Sequence, residues 1–198
     1  MRQTPPPAWS REVEALPPQT EIVTERLTLR FPQSDEARAI WERVSDATFP
    51  RYLPWAQVES LAETEARLSD IQAAWDSGDS YCFGVHTRDS SELIGHATIS
   101  RSDASGEAWS IAFMIDSNVR GRGFAAEAAH ALLDLGFARL GAKRIWAGAS
   151  PSNDASLRVI EKLGMRHFRS NPNAYKIGGL SIATEDFEIE SSEWKNAR

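Results

Sequence analysis

The residues with the most definite chemistry are Arg120, Gly121, Arg122 and Gly123. They stand between a strand-like run, Trp109 to Ile115, and a long apolar-rich segment that opens at Phe124. A helix starting there presents unpaired N–H groups and the positive end of its dipole, the ingredients of an anion site. Gly121 and Gly123 carry no Cβ, so a phosphate can approach the backbone, and Arg120 and Arg122 add charge-assisted contacts. The alternative is an ordinary helix start with two glycines and surface arginines. A P-loop nucleotide is excluded, because no G-x-x-x-x-G-K-S/T run occurs. A dinucleotide fingerprint is incomplete: counting from Gly121, its third glycine would fall at Ala126, and the preceding strand comes at the end of a meander, where such a fingerprint follows the strand that opens the fold. A diphosphate on a long cofactor fits better.

Other reactive side chains say less. His86, His96, His130 and His167 show no H-x-x-x-H or cysteine-paired spacing, so no metal is expected. His86 and His96 are read as a buried pair facing each other across a hairpin. Cys82 lies on a strand and is read as core. Glu127, His130 and Asp134 share the polar stripe of one helix and are read as surface. Tyr52 and Trp55, in the aromatic run Phe49 to Trp55, are costly to leave in a loop unless they pack or bind something.

These residues need elements to position them. Leu27 and Leu29 alternate with polar neighbours from Thr24 to Arg30, as in a half-buried strand. Ser34 or Asp35 can cap a helix carrying Ala37, Ile40, Trp41 and Val44, and a second helix is expected from about Glu63 to Asp76. Tyr81 to Thr87, Leu93 to Ser100 and Trp109 to Ile115 are three strands separated by turn-prone residues, an antiparallel meander. Then the period changes. A helix runs from Phe124 to Leu140 and stops at Gly141. A strand follows over Arg144 to Ala149, and then a helix from Asp154 to Leu163 that stops at Gly164. A short strand from Met165 to Arg169, a later loop and an alternating run from Asp186 to Glu190 complete the chain. The order predicts a single α/β (α+β) domain, with a mixed central sheet and helices on both faces. Residues 1–20, with five prolines, read as an extended arm, and 21–198 as the domain. Trp9 in that arm is expected to dock, on the domain or on a second copy in a homodimer.

Composition narrows the class. The chain has 198 residues, 41% of them hydrophobic and 25% charged, which suits one globular domain. A net charge of −6 argues against a nucleic-acid partner and is compatible with a cationic acceptor such as an amine, though solubility alone would explain it. No apolar run reaches membrane length, no secretory pattern is present, and Cys82 is the only cysteine; a cytoplasmic location is expected.

The chain resembles the GNAT superfamily of N-acetyltransferases. Arg120-x-x-Gly123-x-Ala125 matches the family's Arg/Gln-x-x-Gly-x-Gly/Ala signature. The run Ser152-Asn153-Asp154-Ala155-Ser156-Leu157 onward to Gly164-Met165 is similar to the second cofactor motif of its ribosomal-protein (RimJ/RimL-type) branch, although that branch usually has Phe where Met165 stands. Thr24-Glu25-Arg26-Leu27 is similar to the branch's opening strand. The resemblance spans about Thr24 to Trp194. It implies acetyl-CoA as co-substrate and a strand pair that splays to admit the pantetheine arm. The backbone of Arg120, Gly121, Arg122, Gly123, Phe124 and Ala125 would hold the pyrophosphate, and Phe113, Met114 and Ile115 would pair with the pantetheine. Asn153 would hydrogen-bond the pantetheine, and Ser156 would sit near the sulfur. Many relatives carry a proton-donating Tyr at the position of Ile160, so the candidate catalytic groups here are Ser156 and Tyr175, the latter in the later loop. A base is sought among Glu107, Asp116 and Glu127, each of which also reads as a solvated carboxylate. Tyr52 and Trp55 would wall the acceptor pocket, or else pack between the first two helices. The acceptor implied is a primary amine, first a protein or peptide N-terminal α-amine. The alternatives are a small-molecule amine (amino acid, polyamine or antibiotic), or an acetyl-CoA sensor of low activity.

Overall fold

The structure is a computed structural model that describes residues 15–44, 60–177 and 180–196. Trp9, Tyr52 and Trp55 lie outside the described residues. The elements are β1 (Ile22–Val23), β2 (Leu27–Arg30), α1 (Ala37–Val44), α2 (Leu61–Asp76), β3 (Ser80–Thr87), β4 (Leu93–Arg101) and β5 (Ala108–Ile115). They continue with α3 (Phe124–Ala138), β6 (Arg144–Ala149), α4 (Asp154–Lys162), β7 (Arg166–Ile177), β8 (Leu180–Glu190) and α5 (Ser191–Asn196). The strands form one sheet in the order β1-β2-β3-β4-β5-β6-β8-β7. All neighbours are antiparallel except β5 and β6.

Local chemistry explains the boundaries. Ser60 caps α2 by accepting from the Glu63 N–H at 3.2 Å, satisfying a donor that the helix cannot. Between β4 and β5 the Asp103 carboxylate accepts from the backbone N–H groups of Gly106 (2.8 Å) and Ala108 (3.2 Å), and closes the turn. The alternation of β5 puts Trp109, Ile111 and Ile115 into the core. There α3 lies across the sheet, so close that a Cβ on Gly136 would stand 2.5 Å from the Ile145 side chain and 2.9 Å from that of Ile99. At the other end of the core Trp75 of α2 is fully buried and meets Phe31, Tyr81 and Phe83 edge-on. Its indole N–H donates to the Leu16 carbonyl at 2.7 Å, while the Leu16 N–H donates to the Tyr81 hydroxyl at 3.2 Å. The chain therefore joins the core at Leu16, which is buried. No helix among the described residues is long and apolar enough to cross a membrane.

Two expectations change. The short strand and later loop after Met165 are instead one long hairpin, β7–β8, with register shifts between His167/Arg169 and Asn171/Tyr175. The run Ser170-Asn171-Pro172-Asn173 has no apolar alternation to announce a strand. As an outermost strand, β7 tolerates Pro172, whose missing N–H costs nothing on an edge. Tyr175 accordingly stands in a strand, opposite Ile182. His86 and His96 do not pair with each other. His86 is opposite Leu93 and His96 opposite Gly84, and a register shift at Val85/His86 separates them. His86 Nε2 meets the Glu36 carboxylate at 2.7 Å instead.

Candidate functional site

The site is built around a break in the sheet. Parallel β5 and β6 pair only at Ala108↔Arg144, Trp109↔Ile145 and Ser110↔Trp146. Both strands continue, β5 to Ile115 on its partner β4 and β6 to Ala149 on its partner β8, but no longer against each other. Beyond Ser110 they splay and leave backbone facing a gap. Phe113, Met114 and Ile115 belong to the stretch of β5 that is paired with β4 but not with β6. The Asp116 N–H stays tied to the Ile94 carbonyl at 2.8 Å.

At the end of β5 the chain makes a 3-10 turn over Ser117–Val119 and enters the glycine-arginine turn. Gly121 (φ 78°) and Gly123 (φ 85°) are left-handed, a conformation costly for residues with a Cβ. Gly123 is the N-cap of α3 and brings no side-chain cap, so the first N–H groups of the helix stay open. Among the described residues, none of the backbone N–H groups from Arg120 to Ala126 donates to a protein acceptor. A Cβ on Gly121 would find nothing within 4 Å, so its surroundings are open space. A row of unpaired donors, with room in front, at the positive end of a 15-residue helix is a cradle for an anion. The two arginine side chains also have protein contacts. Arg120 Nε donates to the Ile115 carbonyl at 3.1 Å, and the Arg122 guanidinium lies 4.9 Å from the Phe124 ring centroid.

The reading of Glu127 as surface is corrected. Its Oε1 accepts from the Thr24 hydroxyl (2.6 Å) and the Arg26 N–H (2.8 Å), and its Oε2 accepts from Arg26 Nε (2.7 Å). Burial pushes this carboxyl up, but those bonds from Thr24 and Arg26 outweigh it and hold the pKa below the ordinary 4.5. The carboxylate is thus engaged and unsuited to act as a base. The partners lie about a hundred residues away, so the helical stripe could not reveal them.

On the far side of the gap, Asn153 caps α4: its Oδ1 accepts from the Ser156 N–H at 3.2 Å, which leaves the amide NH2 free to donate. Ser156 is half-buried, and its hydroxyl has no partner among the described residues. Ile160, one turn further, is 1% exposed and belongs to the core. The backbone places Tyr175 in the β7–β8 hairpin.

Three other groups have a reactive look and prove structural or neutral. Ser170, His167 and Glu185 cluster, but the serine hydroxyl donates to the carboxylate at 2.6 Å and stands 3.5 Å from the imidazole, so the histidine does not activate it. Burial, with Arg67 nearby, pushes the His96 imidazole down to about 4 and keeps it neutral. Burial likewise raises the Cys82 thiol, against the pull of a bond with Thr98. No group of three or more His, Cys, Asp or Glu side chains among the described residues is placed to hold a metal.

The profile of the acetyltransferase (GNAT) domain family matches residues 26–166. YnaD of Bacillus subtilis, an uncharacterized N-acetyltransferase, is 31% identical over 145 residues, covering 73% of this chain and 82% of that protein. Among solved structures, an acetyltransferase of the GNAT family from Bacillus anthracis superposes with a TM-score of 0.78 at 25% identity, covering 88% of this chain and 100% of that one. A protein from Vibrio cholerae assigned as a ribosomal-protein-serine acetyltransferase gives the same TM-score and identity over 88% of this chain and 99% of its own.

Proposed function

The chain belongs to the acetyltransferase (GNAT) domain family and is an N-acetyltransferase, and from that premise we propose that it moves the acetyl group of acetyl-CoA to the α-amine of a protein or peptide N-terminus. The observation that carries the donor half is the splay of β5 from β6 after Ser110, ending at the unpaired N–H groups of Arg120 to Ala126. The two features match the two parts of coenzyme A. The gap offers strand backbone to the amide-bearing pantetheine arm, and the cradle offers donors to the pyrophosphate.

The residues then divide the work. Gly121 and Gly123 keep the cradle open, and the N–H groups from Arg120 to Ala125 bind the pyrophosphate. Backbone from Phe113 to Ile115 aligns the arm so that the thioester carbonyl lies by a β5 N–H, which stabilises the developing oxyanion. The Asn153 amide NH2 binds the arm from the other side. The Ser156 hydroxyl, without a partner among the described residues, hydrogen-bonds the departing sulfur. Acetyl transfer of this kind needs the amine neutral at the moment of attack, and a water held by a carboxylate suffices to take its proton. The acceptor assignment is supported by the likeness to the Vibrio cholerae protein.

The test is a thiol-release assay with acetyl-CoA against a panel of peptides with free N-termini, matched N-terminally blocked peptides carrying lysine, and small amines. Release on free N-termini alone is the expected result. Release on small amines alone would refute the acceptor assignment and leave the donor half standing.

A further inference from the structure

The contacts of Arg26 exceed what a strand-edge arginine needs for stability. Its Nε and Nη2 reach one oxygen of Glu127, at 2.7 and 2.6 Å, and its Nη1 donates to the Arg122 carbonyl at 2.8 Å. Its guanidinium also lies 4.8 Å from the Phe124 ring centroid. One side chain from the beginning of the sheet therefore grips both the glycine-arginine turn and the helix that the turn opens. A Cβ on Gly123 would approach its Nη2 to 3.3 Å, so the guanidinium stands directly beside the N-cap.

The electrostatics give this grip a purpose. Glu127 lies one helical turn from the N-terminus of α3. A carboxylate there suits the helix dipole but opposes any anion bound to the same N–H groups. The bonds from Thr24 and Arg26 hold Glu127 ionised, so its charge must be cancelled by a cation rather than by a proton. Among the described residues the cation that meets it is Arg26. The Arg122 carbonyl adds a second negative end close to the cradle, and Nη1 binds it.

We propose that Arg26 is a positioning residue for the donor: by neutralising Glu127 and holding the Arg122 carbonyl, it turns the open N–H groups of the glycine-arginine turn toward a pyrophosphate with no uncompensated charge behind them. The inference rests on the donor reading above. It assigns Arg26 to pyrophosphate affinity and not to the thioester chemistry.

The experiment compares CoA with pantetheine, which lacks the pyrophosphate, by calorimetric titration of the full chain. Arg26→Ala is expected to weaken CoA about tenfold or more while pantetheine changes by less than about twofold, the scale of losing one charge-assisted bond. Adding Glu127→Gln to that variant removes the bare charge and is expected to recover most of the loss. A general structural role predicts the opposite order, with the double variant no better than Arg26→Ala and both ligands weakened alike; that result overturns the proposal. Should Arg26→Ala fail to fold, Arg26→Lys keeps the charge but cannot span Glu127 and the Arg122 carbonyl together. It is then expected to show a smaller loss confined to CoA, and an equal loss on both ligands sinks the idea. A parent protein that binds CoA no more tightly than pantetheine would remove the donor reading itself, which is a different failure.

Discussion

Gly95 offers the sharpest perturbation of the splayed strand. It lies on β4 opposite Ile115, and a Cβ built there would stand 2.1 Å from the Met114 carbonyl oxygen and 3.0 Å from its carbon. Both are backbone atoms, so no side chain can swing aside. To restore ordinary contact, β4 and β5 must separate by about 1 Å at this point, an overpacking strain of the kind that costs about 1–3 kcal/mol. For a chain of this size that is a fall in Tm of roughly 2–12 °C. The displacement falls on Met114 and Ile115, where the donor is proposed to lie, and a misplacement of about 1 Å at a reacting centre can cost as much as ~100-fold in rate. Gly95→Ala should therefore lower both Tm and kcat/KM for acetyl-CoA. Gly136→Ala is the comparator. Its new Cβ would crowd only the ends of the Ile145 and Ile99 side chains, and alanine gains about 0.5–1 kcal/mol as a helix residue. It should lower kcat/KM far less. Thermal denaturation and steady-state kinetics on the two variants decide the matter. A Gly95→Ala protein with the parent's Tm and kinetics would refute the claim that the backbone of β5 is held in place by the absence of a side chain at residue 95.

Asn153→Ala removes the cap of α4, worth about 0.5–2 kcal/mol, together with the amide proposed to bind the pantetheine arm. Asn153→Asp keeps the capping oxygen, so Tm should recover while acetyl-CoA binding does not. Glu127 has its pKa held below 4.5 in the folded chain, so the stability it supplies is complete above that value and is lost as pH falls through the folded pKa. The Tm gap between the parent and Glu127→Gln, read from pH 7 down to pH 3, is expected to narrow only below about 4.5. The His96 imidazole, held down to about 4, should show no titration by NMR between pH 8 and pH 5.5.

What the sequence displays and what it hides follow from the range of the interactions. The strand, turn and helix from Trp109 to Ala138 are legible because their determinants are local: alternation, two glycines and an apolar helical run within thirty residues. The splay of β5 from β6 came through resemblance rather than pattern, and its register, ending at Ser110↔Trp146, was legible in neither. The β7–β8 hairpin was missed because Pro172 and two asparagines break the alternation while the backbone ladder continues around register shifts. Glu36 with His86 and Glu127 with Arg26 were missed for one reason: each bond joins groups fifty or more positions apart, and helix or strand periodicity carries no trace of such a partner. The short helix α5, whose Trp194 indole donates to Asp134 at 2.9 Å, was hidden in the same way.

This division also explains why the departures from the family pattern are tolerable. The proposed donor side is made of backbone: the N–H groups of a turn, the edge of a splayed strand, and glycines that matter for what they lack. Ile160, where the resemblance would put a proton-donating Tyr, belongs to the buried core together with Leu163 and Met165 and fills space there. Met165 is likewise buried, and its flexible thioether substitutes for a ring by volume. Neither change touches the cradle. Sensitivity to mutation should therefore rank by backbone geometry rather than by charge, with Gly121 and Gly123 (φ 78° and 85°) ahead of Arg120 and Arg122, whose guanidiniums already lean on Ile115 and Phe124. If charge reversal at Arg122 abolished CoA binding while Gly123→Ala spared it, the cradle would be a cluster of cations and the backbone argument would fail.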